Sequence, residues 1–394
     1  MSGGLTCLYL KMTRTLKNIS QTFLLLVIAV VIFLFKYNAD SNFTRARVPL
    51  RLPKPRNVNR RNLTITINSD ELVSKCEQNM NVTKVKDFSS LPDHLKDFLY
   101  YQHCRYFPKL LDVPDKCGGM NNSDDVFLLL VIKSSPENYE RREVLRKTWA
   151  KERSHNGVWI RRIFISGTSG EGLEKEKMNK LLDLEHQEFS DILQWDFSDT
   201  FYNLTLKQML FLQWLESNCP NVRFLFNGDD DVFAHTSNIV DYLQSLTEND
   251  GRQHLFTGFL FTNEKVVRWP PSKYYIPTQI QKENQYLPYC GGGGYILSGY
   301  TALVIYKMSQ DIPLHPIDDA YMGMCLAKAG LSPSSHIGVK TLGLNLHSKE
   351  QDDHEHCFLR QLLLVHKYLP PQIYALWKQV HDRHLKCPST MILK

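Results

Sequence analysis

Val222-Arg223-Phe224-Leu225-Phe226-Asn227-Gly228-Asp229-Asp230-Asp231-Val232-Phe233 is the stretch around which the rest of the chain is organised. The apolar run 222–226, closed by Asn-Gly, has the form of a buried strand that stops abruptly. Three carboxylates follow with no basic residue among them. Along extended backbone successive side chains alternate faces, so Asp229 and Asp231 are expected to point one way and Asp230 the other. Carboxylates this close repel unless a cation sits between them, and hard oxygen ligands favour Mg²⁺ or Mn²⁺. In open α/β sheets ligands bind just past the carboxyl ends of strands, which is where the triplet falls. The plainer alternative is an acidic turn capping the next helix, with Asp side chains accepting from nearby backbone N–H groups. The buried strand ahead and Val232-Phe233 behind favour the metal site.

Upstream, 126–132 is a continuous apolar run of the kind found in a central parallel strand. Ser135-Pro136-Glu137 supplies an N-cap, a proline at the first helical position and an acid in the first turn, predicting a helix through Arg141–Trp149. Strand-like 162–167, a charged helical stretch 171–187, strand-like 192–195 and a helical pattern over 201–217 follow. This alternation predicts an α/β fold with a mostly parallel sheet. The first strand–helix turn lacks G-x-G-x-x-G, so a dehydrogenase-type dinucleotide fold is not supported.

Downstream, 254–261 is strand-like and 269–277 is too rich in proline for a regular element. Tyr289-Cys290-Gly291-Gly292-Gly293-Gly294-Tyr295 then leads into Ile296-Leu297-Ser298. A glycine run is commonly a flexible linker. Lodged in aromatic, apolar sequence, this one suits close approach of backbone to a ligand, with Tyr289 and Tyr295 offering faces to a sugar ring. Pro316-Ile317-Asp318-Asp319 sets two carboxylates before a helix running to about Lys328, for which N-capping is the alternative reading. His366 closes the apolar run 362–365, where a lone histidine is more often a core residue than a ligand. The cluster His354-Glu355-His356-Cys357 lies in polar, acidic sequence and reads as a solvated loop.

The chain has 394 residues, 43% hydrophobic and 22% charged, which is a globular composition large enough for a substantial core. Its net charge of +6 is local. Residues 1–69 hold eleven Lys/Arg and one acid, Asp40, leaving 36 basic and 40 acidic residues in 70–394. The body is mildly acidic, and a nucleic-acid partner loses its electrostatic support. Residues 23–35 are uninterruptedly apolar, and 19–35 reaches the short end of a bilayer span. No small-x-small cleavage site follows closely, and Lys11, Arg14 and Lys17 precede the span. Both features favour a signal anchor with a cytoplasmic N-terminus. Sequons at Asn42, Asn62, Asn81, Asn121 and Asn203, and eight cysteines beyond the span, agree with an oxidising compartment, the disulfide pairing being left open.

Four motifs in this order, 141–149, 227–233, 289–295 and 317–323, with the ending 377–387, resemble the β-1,3-glycosyltransferases of glycosyltransferase family 31, in particular their β-1,3-N-acetylglucosaminyltransferase branch. The resemblance covers roughly 110–387. It implies a GT-A-type, Rossmann-like α/β fold, a UDP-sugar donor, Mn²⁺ or Mg²⁺, and inversion at the anomeric carbon. Residue by residue it implies Asp231 and His366 as metal ligands and Asp229 as their ribose- or metal-side partner. Asp319 matches the catalytic base, and Arg142, Arg146, Asp230, Gly292 and Gly293 fall in donor-binding motifs. Ala320 and Met322 depart from the usual pattern, with consequences for packing.

The organisation expected is a cytoplasmic tail 1–18, a transmembrane signal anchor 19–37, a luminal stem 38–69, a lead-in segment 70–123 and a catalytic domain 124–394 in the Golgi lumen. The expected activity moves GlcNAc from UDP-GlcNAc in β-1,3 linkage onto the terminal β-galactose of a glycan acceptor. A β-1,3-galactosyltransferase using UDP-Gal is the alternative within the fold. A non-catalytic luminal glycan-binding protein is the alternative of another class, though it would be expected to lack Asp231 or Asp319. A metal-dependent hydrolase would need more ligands. Assembly with itself or with other Golgi transferases completes the expected partners, and no nucleic acid is among them.

Overall fold

A computed structural model describes residues 76–118, 126–342, 357–384 and 387, all within the unit 71–394. The expected anchor and stem lie outside the described residues, among which no helix is long and apolar enough to cross a membrane.

The lead-in segment contributes an edge strand, β1 (Lys109–Leu111), to the main sheet. The run 126–132 forms β2 (Val126–Lys133), buried at every position. β3 (Arg153–His155) pairs antiparallel with the start of the long β4 (Val158–Thr168), and β5 (Ile192–Ser198) lies parallel to β4. β6 (Phe224–Asp229) lies parallel to β2 on its other side. The spatial order β5-β4-β2-β6 is thus a parallel centre. From there the sheet reverses, because β11 (Gly294–Ser298) runs antiparallel to both β6 and β8 (Phe256–Gly258). The sheet closes with β12 (Ser334–Ser335). β7 (Val232–Ala234), β13 (Val339–Lys340) and β14 (Leu364–His366) form a three-stranded sheet, and β9 (Leu260–Phe261) and β10 (Tyr289–Cys290) a hairpin-like pair.

Period-two alternation along β2 feeds two cores. Leu129 and Val131 join the core covered by helices Leu204–Asn218, Gly299–Ser309 and Asp318–Lys328. Leu128, Leu130 and Ile132 join the core beneath helices Tyr139–Lys147, Thr236–Ser245 and Pro370–Val380. Both faces of the sheet are covered, which is why its strands read as unbroken apolar runs. Each fully buried Leu or Ile here is worth about 1.5–3 kcal/mol of transfer free energy.

Two local expectations are corrected. The strand read as 222–226 runs on through Asn227-Gly228 to Asp229, because β2 and β11 flank it and satisfy its backbone on both sides. The helix read as starting at Pro136 starts at Tyr139. The carbonyls of Ser135 and Pro136 turn instead to accept from the Arg142 guanidinium at 2.6 and 3.0 Å.

Among the described residues, disulfides join Cys76 to Cys104, Cys117 to Cys219 and Cys357 to Cys387. Cys290 and Cys325 are buried free thiols.

Candidate active site

The carboxyl ends of β2 and β6 meet the amino end of β11 at one point of the sheet, where Lys133 lies opposite Asp229 and Gly228 opposite Gly294. The backbone N–H of Asp229 donates to the Gly293 carbonyl at 3.4 Å. Immediately afterwards β7 pairs antiparallel with β14, setting His366 opposite Val232. The Tyr368 N–H donates to the Asp231 carbonyl at 2.8 Å, tying the two segments together. Trp149, the last residue of the 141–149 motif, donates its Nε1–H to the Val232 carbonyl at 2.8 Å.

The triplet divides as expected, although Asp230 and Asp231 form the turn between β6 and β7 rather than extended strand. Asp229 and Asp231 gather with His366, their ligand atoms all within 4.8 Å of one another. His366 Nε2 stands 3.0 Å from Asp231 Oδ1 and 3.7 Å from Asp229 Oδ2. Asp230 turns away, its oxygens accepting from Asn138 Nδ2 at 2.8 Å and Arg141 NH1 at 3.3 Å, and burial pushes its carboxyl up from the ordinary range.

These residues fit a divalent cation. His366 Nδ1 meets the Thr341 carbonyl at 2.9 Å, and a carbonyl can only accept, so Nδ1 carries a proton and Nε2 is the ring nitrogen turned to the carboxylates. The buried Asp231 Oδ1 has no partner other than Nε2, which it faces across 3.0 Å. Burial opposes a charged imidazole, but Asp231 and Asp229 outweigh it and raise His366 above its usual range. The carboxylates thus favour a positive charge at Nε2, a proton or a cation, and a two-carboxylate, one-imidazole set suits a first-row divalent ion or Mg²⁺.

Gly292 and Gly293 separate this cluster from the second acidic pair. A Cβ at Gly293 would lie 2.6 Å from His366 Nδ1, so only glycine leaves room for the ring. Gly292 donates its N–H to Asp319 Oδ2 at 3.0 Å, and Asp319 Oδ1 accepts from the Ala320 N–H at 2.7 Å. The glycines therefore seat two site groups against backbone, one on each side.

Asp319 opens helix Asp318–Lys328, a position at which the helix dipole favours the carboxylate. Burial, reinforced by the Asp318 charge, outweighs the dipole, the two N–H donors and Lys133, and raises Asp319 to about 7.

Arg142 and Arg146 are corrected as donor-binding candidates. Arg142 grips Glu185 through Nε and NH2, both at 2.8 Å, and donates to Ser134 Oγ at 3.0 Å, leaving the residue 1% exposed. Arg146 forks onto Asp191 at 2.8 and 2.9 Å and meets Glu185 at 2.7 Å. Both guanidiniums are consumed in holding helix Tyr139–Lys147 against helix Gly172–Phe189 and the start of β5. Tyr295 is likewise withdrawn from any sugar, buried and stacked on Phe256 at 4.6 Å, whereas Tyr289 stacks on Phe261 and stays partly accessible.

Lys133 is the residue the sequence reading missed. Buried at the end of β2, it donates to Asp318 Oδ2 at 2.9 Å and the Gly292 carbonyl at 3.3 Å, and pairs with Asp229 Oδ1 at 3.0 Å. Burial would lower its pKa, but Asp229 and Asp318 together hold the ammonium well above its usual range. It thereby neutralises one carboxylate of each acidic motif. The available signal was a lone basic residue ending the most apolar strand.

A cavity of about 320 Å³ opens over Asp229–Asp231 and is walled by Lys133, Ser134, Arg141, Phe201 and the buried Asp199–Lys207 pair. A larger one, about 540 Å³, lies at the amino ends of β2 and β4 and contains none of the expected site residues. Ligands in such sheets bind at the carboxyl ends, which singles out the smaller.

Of the sequons, Asn42, Asn62 and Asn121 lie outside the described residues. Asn81 is exposed, and Asn203 donates its Nδ2–H to the Ser198 carbonyl at 2.9 Å.

Comparison with known proteins gives a consistent picture. A family model described as Galactosyltransferase matches residues 140–336. The chain is 48% identical over 313 residues to human N-acetyllactosaminide beta-1,3-N-acetylglucosaminyltransferase 3, covering 79% of this chain and 82% of that one. It is 46% identical to human acetylgalactosaminyl-O-glycosyl-glycoprotein beta-1,3-N-acetylglucosaminyltransferase, covering 79% and 80%. To mouse UDP-GlcNAc:betaGal beta-1,3-N-acetylglucosaminyltransferase 7 it is 40% identical, covering 81% and 79%. Among solved structures, galactosyltransferase LgtC with donor and acceptor sugar analogs aligns at 14% identity and a TM-score of 0.29, covering 52% of this chain and 72% of that one; so low a score adds nothing to the assignment.

Proposed function

The chain belongs to the galactosyltransferase family, among relatives named β-1,3-N-acetylglucosaminyltransferases, and from that premise we propose that it moves GlcNAc from UDP-GlcNAc to the 3-hydroxyl of a terminal β-galactose with inversion. The observation carrying the reading is the grouping of Asp229, Asp231 and His366 on one side of Gly292–Gly293 and Asp319 on the other.

Asp319 takes the proton of the acceptor hydroxyl, the oxygen attacks the anomeric carbon, and the bond to the UDP oxygen breaks on the opposite face. Gly292 N–H and Ala320 N–H fix the Asp319 carboxylate, and Lys133 holds its neighbour Asp318 out of the reaction. Mn²⁺ or Mg²⁺ held by Asp229, Asp231 and His366 would neutralise charge developing on the diphosphate. Asp230 holds Asn138 and Arg141 at the cavity wall.

Relatives named for β-galactose and N-acetyllactosamine support a galactose-terminated acceptor. The disulfides and the apolar run 19–35 support a single-pass Golgi protein with its catalytic body, 124–394, in the lumen.

The decisive assay offers UDP-GlcNAc and UDP-Gal separately, with lactosamine as acceptor. Transfer of GlcNAc, lost on chelation and restored by Mn²⁺, is expected. Preferential transfer of galactose would make the protein a β-1,3-galactosyltransferase, and full activity in chelator would remove the metal role.

A further inference from the structure

We propose that Arg141 is the side chain that grips the diphosphate of the nucleotide donor, a role the neighbouring Arg142 and Arg146 are in no position to play. This rests on the donor reading above and adds a residue to it.

The cavity over Asp229–Asp231 has three cationic side chains in its wall: Lys133, Arg141 and Lys207. Two are buried and already paired with carboxylates. An ammonium has three N–H donors. Those of Lys133 are matched by Asp229, Asp318 and the Gly292 carbonyl, and its side chain is 3% exposed. Lys207 holds both oxygens of Asp199 at 2.6 and 2.7 Å and is 1% exposed.

Arg141 differs on each count. Its side chain is 27% exposed, and its single hydrogen bond among the described residues runs from NH1 to Asp230 Oδ1 at 3.3 Å. NH1 also lies 3.8 Å from Asp231 Oδ2, at the outer limit of an ion pair. A guanidinium has five N–H donors in a planar fork that matches phosphate oxygens two at a time. One is occupied, and the rest stand at the wall of a cavity whose floor is carboxylate.

The charge balance calls for such a group. A divalent ion at Asp229, Asp231 and His366 would offset those carboxylates but leave the charge of a diphosphate beside them unmatched, and Lys133 and Lys207 are already neutralised by Asp229, Asp318 and Asp199. Arg141 remains, held at the rim by Asp230, whose other oxygen is fixed by Asn138. Its proposed contact is with the phosphate oxygens, as a binding residue that also neutralises the departing diphosphate.

The test uses the full-length chain in detergent with Mn²⁺ and follows binding of UDP by calorimetry and of uridine by competition. Arg141→Gln is expected to weaken UDP roughly 10- to 100-fold, the range for a charge-assisted hydrogen-bonded contact, and to leave uridine unchanged. Arg141→Lys keeps the charge without the fork and should fall between. UDP affinity within about two-fold of wild type in both variants, or parallel losses for UDP and uridine, would overturn the proposal. A wild-type chain that failed to bind UDP would overturn the donor reading as well, so the two failures are distinguishable.

Discussion

Asp319 is the carboxyl group on which the proposed chemistry turns. It is buried enough to be raised to about 7, yet two backbone N–H groups hold its oxygens in place. A base with a pKa near the working pH combines an adequate ionised fraction with useful basicity. For the free enzyme, kcat/KM should therefore rise with pH through an acidic limb near 7. Asp319→Asn should abolish that limb and reduce transfer roughly 10²–10⁴-fold while UDP still binds. Near wild-type transfer by Asp319→Asn, with the loss appearing in Asp318→Asn instead, would move the base to Asp318. The same group carries a stability sign. Its folded pKa lies above the ordinary 3.8, so its contribution favours the folded state at low pH and fades as pH rises through about 7.

Helix Tyr139–Lys147 shows how one element serves the site from two faces. Arg141 looks into the cavity, while Arg142 and Arg146 face the opposite way into Glu185 and Asp191. Arg162 completes the cluster, pairing with Asp191 at 2.7 Å. Removing one member of a buried ion-pair network strands the others, at a cost of about 3–5 kcal/mol. Glu185→Gln, on a helix remote from the triplet, is therefore expected to lower the thermal unfolding midpoint markedly, because Arg142 and Arg146 both lose a carboxylate. An unchanged midpoint would mean that the network contributes nothing to stability. The glycine segment before β11 works in a comparable way at backbone level, since Gly293 leaves the room that His366 occupies.

At the scale of the whole molecule the described body is built on one large sheet with two covered faces, joined by two small ones, and the candidate site lies where its parallel strands end and β11 reverses. The lead-in segment is fastened to that body by β1 and by Cys117–Cys219. Residues 19–37 are proposed to tether the body to a membrane. Alkaline carbonate extraction should then leave the full-length chain with the membrane pellet, and its release into the supernatant would count against the anchor.

The central parallel strands and the helices between them were legible in the chain itself, because burial on both faces of β2, β4 and β6 demands apolar runs, whereas helices Thr236–Ser245, Gly299–Ser309 and Pro370–Val380 were not read. The division of the acidic triplet came out as expected but not by alternation along extended backbone, because Asp230 and Asp231 sit in the turn between β6 and β7. Four motifs spaced along the chain were enough to indicate the family. Direction and partnership were not legible. Nothing local tells Arg141 from Arg142 and Arg146 in Arg141-Arg142-Glu143-Val144-Leu145-Arg146; which one meets the cavity is decided by where Glu185 and Asp191 come to rest. Lys133 looked like the end of a strand until β6 and helix Asp318–Lys328 set two carboxylates around it. The state of Asp319 is decided in the same way: the dipole of its helix is local, whereas the burial that outweighs it is supplied by the rest of the fold.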